Sequence, residues 1–232
     1  GKHVAIGTAG TVTTGSGGDM QCTVTRHAAT GNLGSRDASF GSGGVVLPDF
    51  SNSKDDWCKG GALQSDGKII IVGYLKHGSS RFDATIGRLN TDGSWDTSFS
   101  SDGKAIEHFD NDDVFQAVAI QADGKIVAAG TSQFGHDAGN ILLARYNTNG
   151  TLDNSFGGGD GWQVTDFSNK DRGWDLKIQQ NGKIVVAGVC DYDNDSGNGR
   201  YGLVGRFNID GSLDTTFSGD GKICQNLGGT TD

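Results

Sequence analysis

Proline and methionine each occur once in 232 residues, and no apolar run exceeds four residues, as at Ile69–Val72. A membrane-spanning helix needs about 20 apolar residues in a row, so none is expected. One proline excludes proline-rich linkers, and the lack of a Gly-X-Y period excludes collagen. Gly1–Gly7 has no charged start followed by a long apolar core, so no secretory leader is expected in it. The missing initial Met fits a leader already removed. Basic residues are scarce: 19 Lys and Arg stand against 28 Asp and Glu, a net charge of −9. Phosphate backbones need clustered cations, which excludes nucleic acid as the expected partner. Cys-x-x-Cys, Gly-x-Ser-x-Gly and His-x-x-x-His are all absent, and no stretch keeps a helical period over ten residues. What is abundant is glycine, 40 residues, about 17% against a usual share of roughly 7%.

The glycines belong to a pattern that recurs four times. Its first landmark is Gly-Lys before a short apolar run, at Gly1, Gly67, Gly124 and Gly182, with intervals of 66, 57 and 58 residues. The second is an arginine: Arg26, Arg88, Arg145 and Arg206. The third is Asp-x-Ser/Thr-Phe, ending at Phe40, Phe99, Phe156 and Phe217. The fourth is a short strand after a glycine, as in Gly103–Phe109 and Gly161–Phe167. The order never changes, and a fixed period of this length identifies a repeat architecture.

Each unit reads as four short strands. Ala117–Ile120 and Ile126–Ala129 flank Asp123-Gly124, and Asp66-Gly67 and Asn181-Gly182 are its copies. Such dipeptides accept φ > 0 at a hairpin turn without a Cβ clash. A second turn follows at Asp92-Gly93, Asn149-Gly150 and Asp210-Gly211. Four strands in about 58 residues match a propeller blade, so the expected fold is all-β, a β-propeller of four four-stranded blades. The repeats span about 1–53, 54–110, 111–168 and 169–232, in one domain. The innermost strand precedes Gly-Lys in the last three copies and is missing from the first, giving 15 strands. Three readings of that vacancy stand open: a piece of a longer propeller, a four-bladed ring with one short blade, or association of copies into a larger ring through open blade edges.

The segments Asp123-Gly124-Lys125-Ile126-Val127, Leu143-Ala144-Arg145-Tyr146-Asn147 and Gly150-Thr151-Leu152-Asp153-Asn154-Ser155-Phe156, with their copies, resemble the delta-60 repeat, a bacterial β-propeller repeat family. The resemblance covers the whole chain. It is strong from about residue 54 and degraded over residues 8–39, where Arg26 to Asp37 is 11 residues instead of 8. It implies a propeller in secreted or surface proteins and no catalytic residues.

Residues present in every blade are expected to hold the blade. Arg26, Arg88, Arg145 and Arg206 are paired in this reading with Asp37, Asp96, Asp153 and Asp214, for instance as bidentate bonds across a strand and its following turn. The four phenylalanines are read as core between blades. Residues that break the repeat are the candidates for function. Asp191, Asp193 and Asp195 alternate in an acidic loop with a glycine, an array of hard oxygen ligands that suits Ca2+. Asp110-Asn111-Asp112-Asp113 is a weaker version, and its counterparts 52–56 and 169–171 point to a blade-connection role. His3, His27, His77, His108 and His136 read as surface histidines. Trp57 and Trp174, near the start of the innermost strand, are the candidate ligand-binding pair, facing the channel mouth, where a ring can stack on a sugar; Trp95 and Trp162 sit on other landmarks. Cys22 and Cys58, grouped with the first repeat, and Cys190 and Cys224 in the last allow three pairings. Cys22–Cys58 with Cys190–Cys224 is preferred, in an oxidising compartment.

The expected function is a non-catalytic, extracellular or periplasmic module for adhesion, scaffolding or ligand recognition, with an unknown protein or glycan as partner and no membrane span. A carbohydrate-binding lectin is the first alternative. A carboxylate-dependent hydrolase or lyase with Ca2+ is the second, and it requires unmatched acids converging on the central channel.

Overall fold

The computed structural model describes residues 2–10, 20–28, 34–51, 55–77, 81–110, 112–134, 139–168, 170–190 and 201–226. They form four antiparallel sheets, one per repeat. Blade 1 holds β1 (His3–Gly10), β2 (Met20–His27) and β3 (Val45–Val46). Blade 2 holds β4 (Asp56–Leu63), β5 (Ile69–His77), β6 (Arg81–Leu89) and β7 (Lys104–Glu107). Blade 3 holds β8 (Val114–Ile120), β9 (Ile126–Ser132), β10 (Asn140–Tyr146) and β11 (Trp162–Thr165). Blade 4 holds β12 (Arg172–Ile178), β13 (Ile184–Cys190), β14 (Tyr201–Phe207) and β15 (Lys222–Asn226). Each sheet runs in sequence order from inner to outer strand, and among the described residues blade 1 has no counterpart of the inner strands β4, β8 and β12.

The core lies between sheets. In β5, Ile69 and Ile71 pack toward Val24 and Phe40 of blade 1, while Ile70 and Val72 pack toward Phe115 and Ile126 of blade 3. Successive strand residues face opposite ways, so a strand sandwiched by two blades must be apolar on both faces. This is why Ile69–Val72 is an unbroken run. A third core joins Val127, Ile141 and Phe156 of blade 3 to Leu176, Ile184 and Leu203 of blade 4. Full burial of one such side chain is worth roughly 1.5–3 kcal/mol.

Every inner strand carries a bulge after its first residues, at Lys59 in β4, Gln116 in β8 and Trp174 in β12. The facing residue on the next strand is Gly73, Gly130 or Gly188. A Cβ there would lie 1.7–1.9 Å from the carbonyl oxygen of Trp57, Val114 or Arg172, so only glycine fits. β8 begins at Val114, as the sequence indicates, whereas β4 and β12 begin earlier than expected, at Asp56 and Arg172. Trp57 and Cys58 lie inside β4, and Cys58 belongs to blade 2, not to the first repeat. Cys22 bonds Cys58 (Cα–Cα 4.9 Å), tying blade 1 to its neighbour. Cys190 bonds Cys224 within blade 4 (Cα–Cα 6.0 Å).

Candidate functional site

The two ends of the strands are built differently. The end carrying the Gly-Lys hairpins holds the repeated polar residues. In each blade the arginine Nε donates to one carboxylate oxygen of the aspartate: Arg26 to Asp37 at 2.8 Å, Arg88 to Asp96 and Arg145 to Asp153 at 2.6 Å, Arg206 to Asp214 at 2.5 Å. The expected two-oxygen fork is not formed. The other carboxylate oxygen accepts from the hydroxyl of Ser39, Ser98, Ser155 or Thr216 two residues on, and the arginine Nη2 donates to that same hydroxyl. The lysine of Gly-Lys completes the set. Lys2, Lys68, Lys125 and Lys183 reach Asp37, Asp96, Asp153 and Asp214 at 2.6–2.8 Å.

All four carboxyls lie below the usual carboxylate range. At Asp37 and Asp214 the lysine bond is the main cause, followed by the hydroxyl. At Asp96 and Asp153 burial pushes upward, and the bonds from lysine, serine and arginine together outweigh it. A groove of about 570 Å³ at this end, lined by Lys125, Arg145 and Lys183, therefore presents cations already taken by Asp153 and Asp214.

The opposite end is irregular. Trp57 faces Tyr74 across β4 and β5, and the rings stack with centroids 5.7 Å apart and planes 14° apart. Tyr74 meets Phe82 edge-on at 5.5 Å, and Phe82 meets Phe134 at 5.4 Å. Phe134 follows β9 of blade 3, and the Arg172 guanidinium of blade 4 sits 5.0 Å over its ring. At the other flank the Lys59 amine lies 4.9 Å over Trp57 and 5.5 Å over Tyr74. Desolvation there pulls the amine below the ordinary lysine value, and burial raises the Tyr74 phenol. Trp57, Phe82 and Phe134 are half-buried. The result is a strip of four aromatic rings with a cation at each end, reaching from blade 2 to blade 4.

None of this strip repeats. The bulge glycine is followed by Tyr74 in blade 2, Thr131 in blade 3 and Val189 in blade 4. The residues facing these three are Trp57, Val114 and Arg172. The two tryptophans singled out in the sequence are not equivalent either. Trp57 lies within the strip, whereas Trp174 is a bulge residue, 50% exposed. Tyr74, Phe82 and Phe134 were not singled out. The signal was available in their departure from the repeat. His108 is exposed, as expected of a surface histidine, and its Nδ1 lies 2.6 Å from the carboxylate of the buried Asp83.

The acidic connections hold blades together, as their recurrence indicated. Asp56, Asp113 and Asp171 accept backbone N–H bonds from Phe50, Phe109 and Phe167, at the exits of the outer strands. Burial pushes the Asp56 carboxyl up to about 6 and raises Asp113. Asp191, Asp193 and Asp195 lie outside the described residues. Among the described residues no three His, Cys, Asp or Glu side chains are grouped to hold a metal ion.

Three stretches, residues 64–99, 121–156 and 179–217, match a family model described as a domain of unknown function (DUF5122) beta-propeller. Each match ends on the phenylalanine of Asp-x-Ser/Thr-Phe, so it contains one complete Lys–Arg–Asp set. The chain is built of β-propeller repeats. No curated protein matches it. Among solved structures it resembles one assigned as a gluconolactonase, at 13% identity and a TM-score of 0.42, over 90% of this chain and 60% of that one. The chain thus spans about 60% of that protein's length. It also resembles a protein of unknown function from Bacteroides caccae, at 10% identity and a TM-score of 0.35, over 88% of this chain and 81% of that one.

Proposed function

We propose that this propeller is a non-catalytic extracellular module for adhesion, scaffolding or ligand recognition, with its ligand at the irregular end. One observation carries the reading. The repeated charges are spent on one another, whereas the unrepeated aromatics form a half-open strip flanked by Lys59 and Arg172. A rigid frame presenting variable loops is a common way to place a binding site. The two disulfides support an oxidising compartment.

A lectin is the second reading, favoured by the exposure of Trp174, since an indole face stacks well on a pyranose ring. Calcium at Asp191, Asp193 and Asp195 is also proposed, on the alternating carboxylates alone. Melting with and without chelator tests it, and an unchanged midpoint removes the idea.

The test of function is a panel of glycans and surface proteins probed with the intact chain, followed by mass analysis of the recovered ligand. The expected result is saturable binding, lost in Trp57→Ala, with the ligand recovered unchanged. A glycan ligand that also requires Trp174 selects the lectin. Binding indifferent to both tryptophans, or a ligand recovered cleaved, overturns the proposal.

A further inference from the structure

Three side chains at the inner edge of the blades stand outside the strand pairing. They are the bulge residues Lys59 of β4, Gln116 of β8 and Trp174 of β12, none of which has a partner on the next strand. The bulge itself is fixed, because the glycine across from its start leaves no room for a Cβ. The residue it carries is not fixed: a cation, an amide and an indole occupy the same position in three blades. A bulge re-aims a side chain away from the ladder, so the frame is constant here and the chemistry can vary.

The three bulges are neighbours. A Cβ on Gly60, the residue after Lys59, would lie 2.9 Å from the carbonyl oxygen of Gln116. A Cβ on Gly173, the residue before Trp174, would lie 2.7 Å from the carbonyl oxygen of Gly130, which faces Phe115, the residue before Gln116. Glycine at 60 and 173 thus lets the inner strands of blades 2, 3 and 4 approach closely at the level of the bulges.

All three side chains are uncommitted. Lys104 and Lys222 also lie over aromatic rings, but each donates to a backbone carbonyl, that of Asp49 and that of Asp166. Lys59 lies over Trp57 and Tyr74 and, among the described residues, has neither a carbonyl nor a carboxylate as partner. The amides of Asn90, Asn147 and Asn208 are bonded inside their own blades, whereas that of Gln116 has no partner among the described residues. Trp57, Trp95 and Trp162 pack on Tyr74, Phe50 and Phe109. Trp174 is 50% exposed and meets no other ring among the described residues. Asp175, which follows it, accepts the Leu176 N–H and lies 3.6 Å from Lys177.

Each free group asks for a different part of a ligand. A cation drawn partly out of water with no anion beside it gains from a negative charge. An exposed indole face takes the C–H face of a sugar ring. An amide both donates to and accepts from a hydroxyl. One apolar face among polar groups is the pattern of a pyranose rather than of a peptide side chain. Resting on the lectin reading above, we infer that the three bulges form one site for a carboxylated sugar of a glycan, with Trp174 against the ring, Gln116 on a hydroxyl and Lys59 on the carboxylate.

The measurement is titration calorimetry of the intact chain with oligosaccharides of glucuronate, galacturonate and mannuronate, each beside its methyl ester. The ester keeps the ring and the hydroxyls and removes the charge. At least one acid is expected to bind with a dissociation constant between about 1 and 1000 micromolar, and its ester at least about tenfold more weakly. Lys59→Met is expected to lose that preference and Lys59→Arg to keep it. Trp174→Ala is expected to weaken acid and ester alike by about tenfold, and Gln116→Ala by about threefold. The preference is a ratio within one variant, so a partly unfolded preparation does not imitate its loss, and melting curves check the folding of each variant. Acids and esters that bind equally, or a preference that survives in Lys59→Met, overturn the inference and leave the lectin reading in place. Acid binding indifferent to Trp174→Ala overturns it too. So does a chain that binds none of these acids, and the neutral glycans of the panel then decide whether the lectin reading falls with it.

Discussion

The two ends of the blades treat carboxylates in opposite ways. At the hairpin end Asp37, Asp96, Asp153 and Asp214 each receive a lysine, an arginine and a hydroxyl, and they lie below the usual range. At the other end Asp56 and Asp113 receive backbone N–H groups, and burial drives them up. Both sets recur from blade to blade, but only the second end also carries the unrepeated aromatic strip. At the hairpin end each repeated carboxylate is neutralised by the lysine and arginine of its own blade, because equivalent joints need equivalent parts, so those charges have nothing left for a ligand. An interrupted position is free of that demand. The contrast therefore separates residues that hold the frame from those that can meet a partner.

The strongest way to break this contrast is to remove a cation from the regular end. Arg145→Ala is expected to lower stability by about 3–5 kcal/mol, because Asp153 stays buried and the bond to Ile209 of blade 4 goes with it. Lys125→Ala, whose side chain is 29% exposed, is expected to cost no more than about 1 kcal/mol. Urea unfolding measures both. Equal losses would mean that the arginine does not bridge the blades.

A change of comparable size at the irregular end is expected to cost less stability. Trp57→Ala removes a half-buried ring and its stack on Tyr74, a loss of about 1–3 kcal/mol, and abolishes ligand capture. The same unfolding assay and the ligand panel read the two effects. If Trp57→Ala proved as damaging as Arg145→Ala with binding intact, the strip would be framework and the contrast would fail.

The fold was legible because the repeat imposes it. Four ordered landmarks required equivalent sheets, and among the described residues blade 1 forms three strands where the other blades form four. The arginine–aspartate pairing was legible for the same reason. The lysine was not, because Lys68 and Asp96 are 28 residues apart and meet only once the register of β4–β6 is set. The aromatic strip was hidden for a related reason. Tyr74, Phe82 and Phe134 sit on no landmark, and Phe134 comes from another blade. Reading the repeats in register and asking where an aromatic replaces Thr131 or Val189 would have exposed Tyr74.

Acid sharpens the comparison across the whole molecule. The four aspartates at the hairpin end bind fewer protons folded than unfolded, so their contribution is complete above about pH 4, the ordinary aspartate value, and fades as pH falls further. Thermal midpoints are expected to drop steeply below about pH 4. A flat profile down to pH 2 would mean that these pairs add nothing to the fold.

The smallest expected effect has the opposite sign and belongs to Asp56. With its carboxyl pushed up to about 6, the folded chain holds a proton there that the unfolded chain has released, throughout the interval from about 4 to 6. Protons therefore favour the folded state over that interval. The contribution of Asp56 is complete below about pH 4 and is lost as pH rises through 6. Between pH 7 and pH 5 the midpoint is expected to climb, by a stability gain on the order of 1 kcal/mol, before the hairpin-end aspartates reverse the trend. Asp56→Asn keeps an acceptor for the Phe50 N–H and carries no charge at any pH, so its midpoint is expected to climb less from pH 7 to pH 5 than that of the parent chain, while the fall below pH 4 persists. An undiminished climb in Asp56→Asn would assign it to another raised carboxyl, Asp113 first among them.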